Sequence, residues 1–306
     1  MKKKIEIFFP IVLILLLIKI IYYENSFLLN LDEIIISNFF YLFIFIVGIN
    51  LYISYLFHTI ITKIINTDIN FIDTLQIFLQ GGIINQFIPS TGLMFRYYKF
   101  KLVSEITLPE YSFSQFIFSI YSLFTYLLLG AIFGLFAFIN LDLNKILILL
   151  FSIFTLLLST YIFRRKIVYL IKINLLKFSY ISKFIKSLSN ITSKIKDNYI
   201  LFIIILPGFL LLTFLECWAF HQAIEMFGIE IDFLISSIMW ISASIISVLA
   251  IINFFGFFEI ILAFSALALI DKTIGGLMII AFTIRLLYIS AQTILILYTY
   301  LYKKIK

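Results

Sequence analysis

Residues 81–101 read GGIINQFIPSTGLMFRYYKFK. In a chain that is otherwise nearly continuous hydrocarbon, this stretch gathers two glycines, Asn85, Gln86, Pro89, Ser90, Thr91, Gly92 and Arg96. Pro89 has no N–H and steers Ile88 away from the helical region, and Gly92 favours a turn. The sequence therefore predicts a break in the backbone near 89–92. Broken backbone at membrane depth is tolerated only where it is buried in protein or lines a wet cavity. The stretch reads as a re-entrant element, and a second is expected around 253–259.

Composition sets the class around it. Hydrophobic residues make up 63% of the chain and charged residues only 13%, where a soluble domain carries roughly a quarter charged. Apolar runs of about 18 residues or more recur along the length, each enough to cross a hydrocarbon core of roughly 30 Å. They are continuous rather than alternating, which excludes a β-barrel. The expected fold is an all-α, polytopic membrane bundle, one integral domain over 1–306. Cys217 is the single cysteine and His58 and His221 the only histidines, so no disulfide framework, metal site or cofactor is expected. The net charge of +7 points to positive-inside topology and anionic inner-leaflet headgroups, not to nucleic acid.

Taken in order, the chain predicts a first, uncleaved helix over 5–23, a helix over 36–57, and the first broken element over 70–100. Helices follow over 111–139 and 146–163. Residues 164–198 hold nine Lys or Arg against one acid, Asp197, with Ile167, Leu170, Ile171, Leu175 and Phe178 close to helical spacing. Two readings fit this segment: an amphipathic helix on an anionic leaflet, or a solvated determinant of topology. A helix over 199–226, the second broken element over 233–270 and a last helix over 273–302 complete the map.

Charge orients it. If six segments cross fully and both broken elements return to their starting side, the cytoplasmic side holds Lys2, Lys3, Lys4, Lys63, Arg96, Lys99 and Lys101. The nine of 164–198 and Lys303, Lys304 and Lys306 join them, making 19 of the 23 basic residues. This asymmetry places both termini in the cytoplasm of a multi-pass protein of the cell (inner) membrane. Asn70-Phe71 matches Asp232-Phe233 at an offset of 162 residues, and Arg96 matches Glu259 at 163. With three crossings between them, the elements form an expected inverted repeat, 31–163 and 199–302, whose discontinuous helices meet near the midplane.

Asn85, Pro89, Gly92 and Arg96, followed later by Gly256, Glu259 and Arg285, resemble the motifs of a flippase-like family of integral membrane proteins. That family includes the transmembrane region of lysylphosphatidylglycerol synthases. The resemblance covers roughly 35–300 and rests on the order and spacing of short motifs. The chain departs from the pattern at Leu93, at Ile251 and Ile252 before Gly256, and at Gln115, Ser119 and Tyr121. The resemblance implies movement of an anionic, aminoacylated or glycosylated lipid headgroup between leaflets, with those seven residues handling the substrate. No transferase domain is expected after Lys306. The alternative is a membrane-embedded glycosyl or lipid transferase, or its accessory subunit, acting on a polyprenyl-linked sugar. A partner transferase or a homo-oligomer is compatible with either.

Among single residues, Arg285 is the sharpest. An arginine in mid-span costs at least about 2.5–3.5 kcal/mol, so it should face the bundle interior with a partner. It reads either as a ligand for phosphate or carboxylate oxygens or as an ion pair with Glu259 or Glu216. Glu259 reads as a gate or proton site, or as the structural partner of Arg285. Glu216, with His221 five residues on, reads as a proton relay or as a core acid beside a helix-end histidine. Arg96 with Lys99 and Lys101 either draws anionic headgroups or anchors topology. Gly81-Gly82 and Gly275-Gly276 read as close-packing sites.

The orientation is checked by thiol labelling of cysteines substituted in a Cys217→Ala background. Asp142→Cys is expected to react from outside the cell and Tyr180→Cys to be protected. The reverse pattern would overturn the orientation.

Overall fold

The computed structural model describes residues 36–87, 91–138, 199–250 and 274–305, and these are almost wholly helical with no strand among them. Seven α-helices result: α1 Ile36–Thr59, α2 Phe71–Phe87, α3 Thr91–Ser104, α4 Leu108–Phe138, α5 Tyr199–Met226, α6 Phe233–Ala250 and α7 Ile274–Ile305. The expected helices 5–23 and 146–163, the basic segment 164–198 and the second turn at 253–259 lie outside the described residues. Among the described residues, four stretches are long and apolar enough to cross a membrane: Asn38–Ile64, Leu108–Ala137, Ile204–Met226 and Ile280–Ile305.

Short polar stretches set the helix ends. Asn70 caps α2, its Oδ1 accepting from the Asp73 N–H at 2.8 Å. Asp232 caps α6 in the same way, accepting from the Leu234 N–H at 2.7 Å. The matched pairs Asn70-Phe71 and Asp232-Phe233 thus both supply a cap and the first helical residue. Thr107 and Glu110 start α4, with the Thr107 N–H donating to Glu110 Oε2 at 2.9 Å. That start is a few residues earlier than expected, because the cap and not the first large apolar residue decides it. The acidic loop after α5 closes on Gly228 at φ +68°. There the N–H of Gly228 bonds Glu225 O at 2.9 Å and that of Ile229 bonds Ile224 O at 3.4 Å, a Schellman closure. The helix expected to stop at 57 continues to Thr59 and through a π-helical turn, Ile60–Ile64. Ile60, Ile61 and Ile64 are buried there, so packing carries the helix past His58.

The break in the first element is present, but Gly92 does not make it. α2 ends at Phe87 and α3 begins at Thr91, leaving the turn, with Pro89, in residues outside the description. Gly92 is helical and buried in the first turn of α3. Its role is close approach: a Cβ added there would meet the Gly81 carbonyl oxygen and fall 2.6 Å from Asn85 Cβ. α2 and α3 therefore pack antiparallel with their backbones nearly in contact. His58 Nδ1 lies 3.0 Å from Thr74 Oγ1, and the rings of Phe57 and Phe100 are 5.9 Å apart. The start of α2 and the end of α3 therefore sit at the same end of α1. At 17 and 14 residues the arms are about 25 and 21 Å long, short of a roughly 30 Å core. The hairpin enters and leaves at one end.

α5 runs antiparallel to α1. The Phe45 and Trp218 rings are 4.5 Å apart, and Gly208, just past Pro207 inside α5, accommodates Leu56 and Tyr52. α6 starts beside the far end of α5, where Ser236 Oγ is 3.1 Å from His221 Nδ1. So α2 and α6 approach the bundle interior from opposite ends. The core between them is aromatic: Phe57 packs on Phe78 at 4.9 Å and Phe118 on Phe209 at 5.2 Å. At the hairpin's open end, α7 is tied to α2 by Lys303, which pairs with Asp73 and donates to Gln76 Oε1 at 2.6 Å.

Gly92→Ala is expected to lower stability by about 1–3 kcal/mol, because backbone atoms cannot yield as a side chain would. Gly48→Ala, with nothing within 4 Å of an added Cβ, should be neutral or stabilising by up to about 1 kcal/mol. Thermal unfolding in detergent compares them, and equal melting of both variants would remove the close-approach role.

Candidate functional site

Where the tips of α2 and α6 converge, a cavity of about 220 Å³ opens among otherwise apolar helices. Its walls carry Gln86 from the last turn of α2, Tyr126 from α4, Glu216 from α5, Ser244 and Ser247 from α6, and Arg285 and Tyr288 from α7. Glu216 is 8% exposed, and Tyr126 donates its hydroxyl to Glu216 Oε2 at 2.7 Å. Gln86 Oε1, Ser247 Oγ and Tyr288 OH are buried without a hydrogen-bond partner among the described residues. Buried polar groups are almost always satisfied, so the lining suits water or a polar ligand. At roughly 30 Å³ per water, the space takes several waters or one small polar headgroup.

The expected interior position of Arg285 is found, on the cavity wall and in the company of Glu216. Glu259 and Gly256 lie outside the described residues, as does Pro89. Asn85, Gly92 and Arg96 come together inside the hairpin, beside the cavity. Arg96 donates from Nε to Phe78 O at 3.0 Å, and its guanidinium lies over the Phe78 ring, 4.1 Å from the centroid. Its stem occupies the space that a Gly81 Cβ would fill, 2.6 Å from Nε, which is the close packing expected of that glycine. A Cβ on Gly82 would lie 3.4 Å from both Arg96 Nη2 and Gln292 Nε2. Gln292 in turn donates to Asn50 Oδ1 at 3.1 Å. Arg96 is thus held by the Phe78 carbonyl and ring within the hairpin.

Glu216 and His221 have different partners. His221 Nε2 is 3.2 Å from Glu225 Oε1, and its ring is set edge-on against Phe233 at 5.3 Å. Five residues along a helix turn a side chain well away from its starting face. The arrangement fits a histidine tying the α5 end to α6, and the acid instead joins the cavity.

Tyr126, Ser244, Ser247, Tyr288 and Gln292 were not singled out from the sequence. Two signals pointed to all of them but Tyr126. Arg285, Tyr288 and Gln292 recur at i, i+3 and i+7, and Ser244 and Ser247 at i and i+3, each a polar stripe on one face of an apolar helix.

Ser244→Cys and Ser247→Cys, in a Cys217→Ala background, are expected to react with a small hydrophilic thiol reagent, whereas native Cys217, fully buried, stays unreactive. Absence of labelling at both serines would mean the cavity is dry. In comparisons with known proteins, no family model, no curated protein and no solved structure matches this chain.

Proposed function

We propose that this chain is a flippase-like integral protein of the cell membrane that moves an anionic, aminoacylated or glycosylated lipid headgroup across the bilayer through the cavity between the tips of α2 and α6. One observation carries the reading: a guanidinium and a carboxylate, Arg285 and Glu216, line one polar cavity inside a bundle of membrane-length apolar helices. Intramembrane charges are costly and mark pathways for polar cargo. Arg285 forks two oxygens of the lipid phosphate, while Gln86, Ser244, Ser247 and Tyr288 supply neutral donors and acceptors for the rest of the headgroup. The hydrocarbon tails remain in the bilayer beside the bundle.

Two further observations support it. α2 and α6, entering from opposite ends with equivalent caps, are what an inverted repeat requires of its paired elements. The hairpin's return to its starting end agrees with six full crossings and cytoplasmic termini. The motif resemblance of Asn85, Gly92, Arg96 and Arg285 to the flippase-like family points the same way.

The test is leaflet-specific labelling of phospholipid in cells or vesicles that carry the protein. Arg285→Gln should fold and lose translocation, and Arg285→Lys should recover part of it, since an ammonium keeps the charge without the fork. Normal translocation by a well-expressed Arg285→Gln protein would exclude Arg285 as the phosphate ligand.

A further inference from the structure

An ion pair lies across the open end of the hairpin, and polar side chains continue inward from it along both helices that carry it. On α7, Lys303, Gln292, Tyr288 and Arg285 share one face, with Lys303 and Arg285 about five turns, or about 27 Å, apart. α2 answers with carboxamides. The chain has six glutamines, and three of them, Gln76, Gln80 and Gln86, stand on α2, with Gln292 on α7. Lys303 pairs with Asp73 and donates to Gln76 Oε1 at 2.6 Å. Gln80 Nε2 donates to the Tyr300 hydroxyl at 3.1 Å. Gln292 lies against Gly82, where an added Cβ would fall 3.4 Å from its Nε2. Gln86 and Tyr288 then share the wall of the cavity.

The seam between α1 and α5 is built differently. Phe45 packs on Trp218 there, and Leu56 sits against Gly208. Apolar contacts of that kind cannot part for a polar guest without exposing hydrocarbon to it. Hydrogen bonds and a partly exposed ion pair contribute only modestly, and each partner can make an equivalent bond to a headgroup. Lys303 keeps 40% of its side chain exposed, so an anion reaches it without any movement of a helix. Further in, Gln292 Oε1, Gln86 Oε1 and the Tyr288 hydroxyl are buried without a hydrogen-bond partner among the described residues. Buried polar groups are almost always satisfied, so the inner part of the seam suits a polar guest. A carboxamide offers a donor and an acceptor together, which matches phosphate oxygens and headgroup hydroxyls alike.

Resting on the translocase reading above, we propose that the seam between α2 and α7 is the track by which the headgroup enters the cavity, with Lys303 as its first phosphate ligand. At the open end of the hairpin the phosphate takes the place of Asp73 on Lys303. The two helices part along their polar contacts, and the glutamines exchange one another's company for that of the headgroup. The phosphate then reaches the level of Arg285, while the acyl chains stay in the bilayer outside the seam. No covalent bond forms or breaks.

The experiment uses the full chain, with Cys217→Ala, in phosphatidylcholine vesicles that contain a trace of fluorescent phosphatidylglycerol. Leaflet distribution is read with a membrane-impermeant quencher. Gln80→Cys with Tyr300→Cys, joined by a reducible bis-maleimide, should lose translocation and regain it on reduction. Phe45→Cys with Trp218→Cys, joined in the same way across α1 and α5, should translocate as before. Transport through a closed α2–α7 seam overturns the track. Asp73→Asn should speed loading and Lys303→Gln slow it, whereas a purely structural tie makes the two variants alike. Like effects overturn Lys303 as the ligand. A readout that needs no transport is thiol labelling of Gln292→Cys by a small hydrophilic reagent. Short-chain phosphatidylglycerol should protect this cysteine, and dioctanoylglycerol, which has no phosphate, should not. Should the paired cysteine variants fail to fold, this labelling decides the matter. An unreactive Gln292→Cys, or one that phosphatidylglycerol leaves unprotected, overturns the track. A protein that moves no probe before cross-linking, while Gln292→Cys is labelled and protected, overturns the translocase reading alone.

Discussion

Gly92 rests on the Gly81 carbonyl and the Asn85 side chain, and much of the interior depends on that contact of two backbones. Only where neither residue carries a Cβ can two helical arms lie this close. The missing side chain of Gly81 also leaves the space in which the Arg96 stem lies, so the guanidinium reaches the Phe78 carbonyl and ring without opening a void. Closed in this way, the hairpin buries its backbone against α1, α4 and α7 and brings Asn85 and Gln86 to the depth of the apolar core.

That depth matters for charge. In hydrocarbon, a polar side chain on a continuous spanning helix has only its own helix or a neighbour to satisfy it. Where α2 and α6 approach from opposite ends an opening lies between the helices, and side chains from five helices line it. Arg285 shares that space with Gln86, in the last turn of α2, and with the Glu216 carboxylate. The same opening that lets these charges avoid lipid makes them available to a polar cargo.

At the other end of the hairpin, Lys303, Asp73 and Gln76 tie the last helix to the first arm. These are partly exposed groups, and such contacts contribute modestly to stability, about 0.2–1 kcal/mol each for exposed pairs. They fix which part of α7 faces the hairpin, and so help to set Arg285, Tyr288 and Gln292 on the interior side.

Much was legible from composition and local chemistry. Apolar length predicted helices over 36–57, 111–139, 199–226 and 273–302, and helices Ile36–Thr59, Leu108–Phe138, Tyr199–Met226 and Ile274–Ile305 stand there with shifted ends. Pro89 and its neighbours located a break between 87 and 91, and the need to shelter a mid-span charge put Arg285 inside. Each of these is a property of one segment and its solvent. Local reasoning erred over Gly92, which it took for a turn residue, because a glycine needed for a turn and one needed for close approach look alike until a second backbone is present. For Glu216 it left two readings open, a relay with His221 or a core acid beside a helix-end histidine. The acid's partner is Tyr126, 90 residues away along the chain, and Gln86 shares a cavity with Arg285 from another hairpin arm. Tertiary structure alone decided those meetings, because hydrophobic burial says that a helix face is turned inward but not which of several inward faces lies opposite it. That choice is made by the packing of side chains and glycine contacts across helices, which no single segment contains.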